Sequence, residues 1–168
     1  YAIASLPDAL KQKIHYFIIG QDKAQAFQRL TKQLGLTSQV KFLGGREDIR
    51  QFLFAADLLL HPAYIESGGI VLLEAMVAGL PVLTTASCGF SPYVETYKAG
   101  MVLADPFEQK TLNHALSTML TQLPTSSWCQ RRHEFAGTVN QKQMPEIAAK
   151  HIDNFIRSIA ITKTQDRF

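Results

Sequence analysis

Short apolar runs punctuate the chain, each bounded by turn-forming residues: Tyr16-Phe-Ile-Ile19, Val40-Lys-Phe-Leu43, Asp57-Leu-Leu-Leu60, Pro81-Val-Leu-Thr-Thr85 and Met101-Val-Leu-Ala104. Most lack polar alternation, the pattern of strands buried on both faces of a parallel sheet. Between them the apolar period lengthens to that of a helix. Ala26, Phe27, Leu30 and Leu34 recur at helical spacing between Asp22 and Leu34, and Gly35 supplies a stop. From Glu47 to Ala56 the stripe is Ile49, Phe52, Leu53 and Ala56. From Ile70 to Val77 the segment is apolar nearly all round apart from Glu74, which predicts a buried helix.

Strand and helix alternating in this way predict an α/β fold, a Rossmann-like doubly wound parallel sheet with right-handed crossovers. Ligands in such sheets sit beyond the carboxyl ends of the strands. The loops expected there are Gly20-Gln-Asp22, Gly44-Gly-Arg46, His61 to Gly69 and Thr85 to Ser91. In the last third, Asp105-Pro-Phe-Glu108 reads as an N-cap, a first-turn proline and a capping-box acid opening a helix with Leu112, Leu116, Met119 and Leu120 on one face. Pro124 ends it. C-terminal helices follow, one polar from Ser127 to Ala136 and one from Pro145 with the stripe Ile147, Ile152, Phe155, Ile156 and Ile159. No internal repeat or low-complexity segment divides residues 1–168, so one domain is expected.

The chain has 168 residues, 46% hydrophobic and 18% charged, enough for a real core. Seventeen Lys and Arg against fourteen Asp and Glu give +3, too mild and scattered to argue for nucleic acid as a partner. Two cysteines, Cys88 and Cys129, make neither a disulfide framework nor a zinc site of common spacing, so a reduced, cytoplasmic compartment is expected and no metal is implied. The longest apolar stretch, Ile70 to Leu83, is broken by Glu74, Gly79 and Pro81, short of the ~18–20 residues of a membrane span. The first residues show no Met start, basic region or signal-like apolar run, so Tyr1 is expected to be a cut inside a longer chain.

The segment richest in chemistry runs from His61 to Pro81. Pro62 favours an extended His61, ending a strand and leading a loop that carries Glu66 into the crevice. Ser67, Gly68 and Gly69 let the backbone approach a ligand closely. The amides of Gly69, Ile70 and Val71 then fall in the first turn of a helix, as unpaired donors where the dipole favours a phosphate. Glu74 lies about five residues into that helix, roughly 7 Å along its axis. That separation matches diphosphate to ribose, and a carboxylate accepts from two neighbouring hydroxyls. Glu66, on the other side of the cradle, is placed for hydroxyls of the group the diphosphate carries. Taken alone, Glu74 is as readily a helix residue reaching solvent, and Gly68-Gly69 an ordinary loop; the combination carries the argument.

Glu66, seven intervening residues and Glu74, followed by Ala75-Met76, Gly79 and Pro81-Val82, resemble the retaining nucleotide-sugar glycosyltransferases of the GT-B fold. The wider runs Asp57 to Tyr64, Gly69 to Glu74 and Ala78 to Thr85 are similar, more narrowly, to the bacterial lipopolysaccharide-core transferases that add glucose to an inner-core heptose by an α-1,3 bond. Ala4-Ser-Leu-Pro7, Gly20-Gln-Asp-Lys23, Phe42-Leu-Gly-Gly-Arg46 and Asp105-Pro-Phe107 fit the same group.

The resemblance implies a transferase using UDP-glucose, without a bound metal or other cofactor. Glu66 is then the catalytic-site carboxylate and grips the donor sugar, Gly69 to Val71 hold the diphosphate, and Glu74 the UDP ribose. Gly44-Gly45-Arg46 matches the place where the family holds uracil, with Arg46 either stacking on the base or serving as an ordinary surface residue at a helix start. The family's leaving-group Arg and Lys lie upstream of the first helix, and neither Lys11 nor Lys13 is in the matching context. The acceptor-binding amino-terminal domain is likewise expected outside this sequence, so the segment alone should bind donor weakly and not turn over. The lipopolysaccharide acceptor implies peripheral contact with the inner face of the inner membrane, with Arg131, Arg132, Lys150, Arg157 and Lys163 as contributors or merely a solvated face. Competing readings are a sibling transferase with another donor and a non-catalytic nucleotide- or partner-binding module.

Among the remaining candidates, His61 faces the sugar or serves structurally, and the second role is the commoner for a histidine at a strand end. His114, His133 and His151 are expected to be solvated, Cys88 to line the cleft, and Trp128 to anchor packing.

Overall fold

Side-chain alternation along each short strand sorts the core onto two faces. A computed structural model describes residues 1–20, 23–106 and 108–123. Its elements are α1 (Asp8–Lys11), β1 (Tyr16–Ile19), α2 (Gln25–Gln33), β2 (Val40–Gly44), α3 (Ile49–Ala55), β3 (Leu59–His61), α4 (Ile70–Val77), β4 (Val82–Thr85), α5 (Ser91–Thr96), β5 (Gly100–Leu103) and α6 (Gln109–Gln122). On β3, β4 and β5, Leu60, Leu83, Met101 and Leu103 join a core with Leu112, Leu116 and Met119 of α6 and with Ala2, Ile3 and Leu6. The alternate positions Leu59, Val82 and Val102 join a second core with Leu53 of α3, Leu72, Leu73, Ala75 and Met76 of α4, and Val94 of α5. Helices therefore cover both faces, which is why the strands read as continuous apolar runs rather than alternating ones.

All pairings are parallel. β1 runs beside β2, with Tyr16 opposite Val40 and a register shift between Ile18 and Ile19. β4 is the centre of the other group, with Leu60 opposite Leu83 and His61 opposite Thr84 on one side, and Thr85 opposite Leu103 on the other. The two groups are not hydrogen-bonded to each other. Tyr16 and Ile18 nonetheless pack on the same core as Leu60 and Leu83. A cleft of about 740 Å³ is lined by residues of both groups, among them Tyr16, Phe17, Leu58, Leu60, Leu116 and Leu120.

The expected elements form, with four differences. α2 begins at Gln25, and its stripe is only partly used: Leu30 and Leu34 are half-buried, whereas Ala26 and Phe27 face solvent. α6 begins at Gln109, because Glu108 at its N-cap has the extended backbone φ −96°, ψ 141°; Asp105 is not the cap. β3 starts two residues later than the apolar run, at Leu59. The short α5, with Pro92 in its first turn, begins at Ser91, the last residue of the stretch read as a loop, and was not expected. The helices expected over residues 127–136 and from Pro145, with Trp128, Cys129, His133, His151 and the five basic residues Arg131, Arg132, Lys150, Arg157 and Lys163, lie outside the described residues.

Among the described residues no helix is long and apolar enough to cross a membrane.

Candidate functional site

The site is built where β3 and β4 end. Two buried threonines at the end of β4 fix the loop after β3: the Thr84 hydroxyl donates to the His61 carbonyl at 3.0 Å, and the Thr85 hydroxyl to the Ala63 carbonyl at 2.6 Å. Ser87 adds a second donor to the Ala63 carbonyl at 2.7 Å. Such side chain to backbone bonds tie the loop's carbonyls to the strand and loop beside it. The next stretch, residues 66–69, docks on the loop after β4 through the Phe90 amide, which donates to the Gly68 carbonyl at 3.0 Å.

Gly69 is the N-cap of α4 and adopts φ 77°, ψ 51°, the left-handed conformation that glycine takes without a Cβ penalty. A side chain there would also meet Leu72 at 3.3 Å and Glu66 Cγ at 3.4 Å. The first amide of the turn to find a backbone acceptor is that of Leu72, on the Gly69 carbonyl. The N–H groups of Gly69, Ile70 and Val71 therefore stand as unpaired donors among the described residues, at the positive end of an eight-residue helix. These are the donors that the spacing placed in the first turn of a helix.

α4 buries Leu72, Leu73, Ala75 and Met76 but is not enclosed all round, as the sequence had suggested. Ile70 and Glu74, one turn apart, share an exposed face, so the Glu74 carboxylate reaches solvent above the same turn whose amides are free. Glu66 is half-buried. One of its oxygens, Oε1, accepts from the Gly68 amide at 3.3 Å; the other, Oε2, lies 3.7 Å from His61 Nε2. Ser67 is exposed and Gly68 half-buried against the Phe90 ring. Tyr64 and Ile65, 71% and 94% exposed, form an apolar rim beside Glu66.

Residues 66–74 thus come together as one surface. Arg46 is arranged differently. Its guanidinium makes a two-pronged pair with Asp48, Nε to Oδ1 at 2.7 Å and an Nη to Oδ2 at 2.8 Å, and lies 5.2 Å from the Phe52 ring centroid. The hydrogen bonds and charge of Asp48 hold Arg46 above its ordinary range and, reciprocally, Arg46 holds Asp48 below the usual carboxylate range. Both known partners of Arg46 belong to its own helix start.

Cys88 does not line the cleft: it is buried under Gly69, with its Sγ 3.3 Å from Thr84 Oγ1. His114 is exposed on α6, as expected, away from these loops in sequence and element. The residue that sequence reasoning missed is Gly89, whose missing side chain lets the two loops meet; no local pattern signals it, because the contact is with Ser67 and Gly68 of the other loop. Among the described residues no three His, Cys, Asp or Glu side chains group as metal ligands would.

Comparison with known proteins bears on the family and the fold. A family model described as "Glycosyl transferases group 1" matches residues 1–136. The lipopolysaccharide glucosyltransferase WaaG of Escherichia coli (strain K12) is 48% identical over 149 residues, which is 88% of this chain and 40% of that protein. A D-inositol 3-phosphate glycosyltransferase of Corynebacterium jeikeium is 35% identical over half of the chain and 20% of its own length. A WaaG crystal structure superposes with a TM-score of 0.81, at 48% identity over 88% of this chain and 40% of that one. Anabaena Alr3699/HepE in complex with UDP-glucose superposes with a TM-score of 0.68, at 25% identity over 91% of this chain and 43% of that one. The chain spans about two-fifths of the length of WaaG and of HepE. Its parallel sheets and flanking helices are the Rossmann-like α/β fold of GT-B glycosyltransferases, and the chain belongs to the glycosyl transferases group 1 family.

Proposed function

We propose that these residues form the donor-binding part of a retaining glycosyltransferase that moves glucose from UDP-glucose to a heptose of the lipopolysaccharide inner core. The observation that carries this reading is the juxtaposition of three free amides at the start of α4 with Glu66 before them and Glu74 one turn beyond. The amides and the helix dipole receive the diphosphate, whose negative charge grows as its bond to the anomeric carbon breaks. Glu66 accepts hydrogen bonds from sugar hydroxyls on one side, and Glu74 from the ribose hydroxyls on the other. Arg46 contributes to the uracil end once its fork is shared with Asp48 or its open face takes the base. In this reading the leaving group's charge is met by the free amides, the helix dipole and basic side chains rather than by a metal.

Glucose and the lipopolysaccharide acceptor are inferred from the 48% identity to WaaG, and UDP from the complex of HepE. Because the chain spans two-fifths of WaaG, acceptor binding and turnover are assigned to the whole protein, at the inner face of the membrane where such an acceptor is made. Titration with UDP-glucose, UDP-galactose and GDP-mannose tests the donor. UDP-glucose should bind and GDP-mannose should not; equal response to all three, or to none, would sink the assignment.

A further inference from the structure

The ring nitrogen Nε2 of His61 is sealed from solvent and has no hydrogen-bond partner among the described residues. A buried donor or acceptor left in that state is costly to the fold. The group facing it is the Glu66 carboxylate, with Oε2 3.7 Å away, roughly half an ångström beyond hydrogen-bonding reach. The two residues are held very differently. His61 is the last residue of β3, paired with Thr84 of β4, and its carbonyl receives the Thr84 hydroxyl. Glu66 belongs to an irregular loop; its stem lies against Gly69, and Oε1 is tied to the Gly68 amide. A small rotation of the carboxylate about that tether brings Oε2 within reach of Nε2.

We propose that His61 is a positioning residue: its Nε2–H donates to Glu66 Oε2 and fixes the carboxylate toward the donor's sugar. The sheet sets the imidazole and the imidazole sets the acid, which is why a polar ring ends a strand whose neighbouring positions are apolar. A hydrogen on Nε2 is the tautomer required, since an ionised carboxylate only accepts. The idea rests on the donor-site reading for its purpose, but the hydrogen bond itself can be tested apart from any ligand.

Two measurements on the whole chain decide it. In ¹⁵N-resolved imidazole spectra of the ligand-free protein, the His61 Nε2 should be protonated, and Glu66→Gln should move its resonance. A bare Nε2, or a signal indifferent to Glu66→Gln, overturns the proposal. In binding experiments, the advantage of UDP-glucose over UDP should fall about tenfold in His61→Phe, which keeps the ring and loses the donor, with UDP affinity unchanged. His61→Gln, which restores an N–H, should recover most of that advantage. Retention of the full advantage in a folded His61→Phe contradicts the proposal. Failure of the unaltered chain to bind either nucleotide would instead count against the donor reading, leaving the imidazole spectra to decide the pair.

Discussion

A Cβ placed on Gly89 would stand 2.6 Å from the Ser67 carbonyl oxygen, so the loop after β4 meets the loop carrying Glu66 backbone against backbone. The neighbouring bond from the Phe90 amide to the Gly68 carbonyl holds the same contact. The path of residues 67–69, and with it the proposed diphosphate site, therefore depends on a glycine in the other loop. Gly89→Ala should push residues 67–68 aside at a cost of about 1–3 kcal/mol and weaken UDP binding about tenfold. Calorimetry on the variant reads this directly, and unchanged UDP affinity would show that the loop contact does not shape the cradle.

Gly69 tests the cradle from the other end. Its φ of 77° penalises an L side chain, and the space is already bounded by Leu72 and Glu66. Gly69→Ala should destabilise the chain by about 1–2 kcal/mol, lowering Tm by roughly 2–8 °C in a domain of this size. A thermal melt superimposable on that of the unaltered chain would mean that α4 does not need its left-handed cap.

Tyr16 gives the alkaline limit. Burial against the first core raises its phenol above the ordinary value near 10. With the folded value above the unfolded one, the neutral phenol's contribution is fully present below about pH 10 and is lost as pH rises through the raised folded value. Unfolding midpoints in denaturant should fall over that interval, and Tyr16→Phe should flatten the Tyr16 part of the fall. An unaltered alkaline profile in the variant would contradict the assignment.

Arg46 and Asp48 predict the opposite sign at low pH. The hydrogen bonds from Arg46 hold the Asp48 carboxyl below its ordinary value. The pair's contribution is present above the ordinary carboxylate value and is lost as pH falls through the depressed one. Because both groups are exposed, the effect on stability should be slight. Carbon-detected NMR titration should show Asp48 returning toward ordinary values in Arg46→Ala; no movement would mean that the fork does not persist in solution.

Much of this was legible from the residues. The buried parallel strands announced themselves as unbroken apolar runs, and the glycine cap, free amides and flanking acids of α4 followed from the order Glu66, Gly68, Gly69, Glu74. Local pattern could not reveal long-range fits. Nothing adjacent to Gly89 in sequence shows that Ser67 stands against it, and nothing near His61 shows that its Nε2 looks at Glu66. The apolar look of residues 70–77 hid an open face, because Ile70 is exposed beside Glu74 rather than packed. The stripe of α2 likewise promised more burial than Ala26 and Phe27 receive. Asp105 had every feature of a cap, yet the backbone of Glu108 delays the helix to Gln109.

The most direct test is calorimetric titration of the chain with UDP, ADP and GDP, repeated with Glu74→Ala. Glu74 is exposed, so the substitution should leave stability within about 0.5 kcal/mol and keep any change in binding interpretable. UDP should bind in preference to ADP and GDP, and Glu74→Ala should weaken UDP about tenfold by removing the acceptor for the ribose hydroxyls. Equal binding of the three nucleotides, with no change in the variant, would contradict the donor-site account.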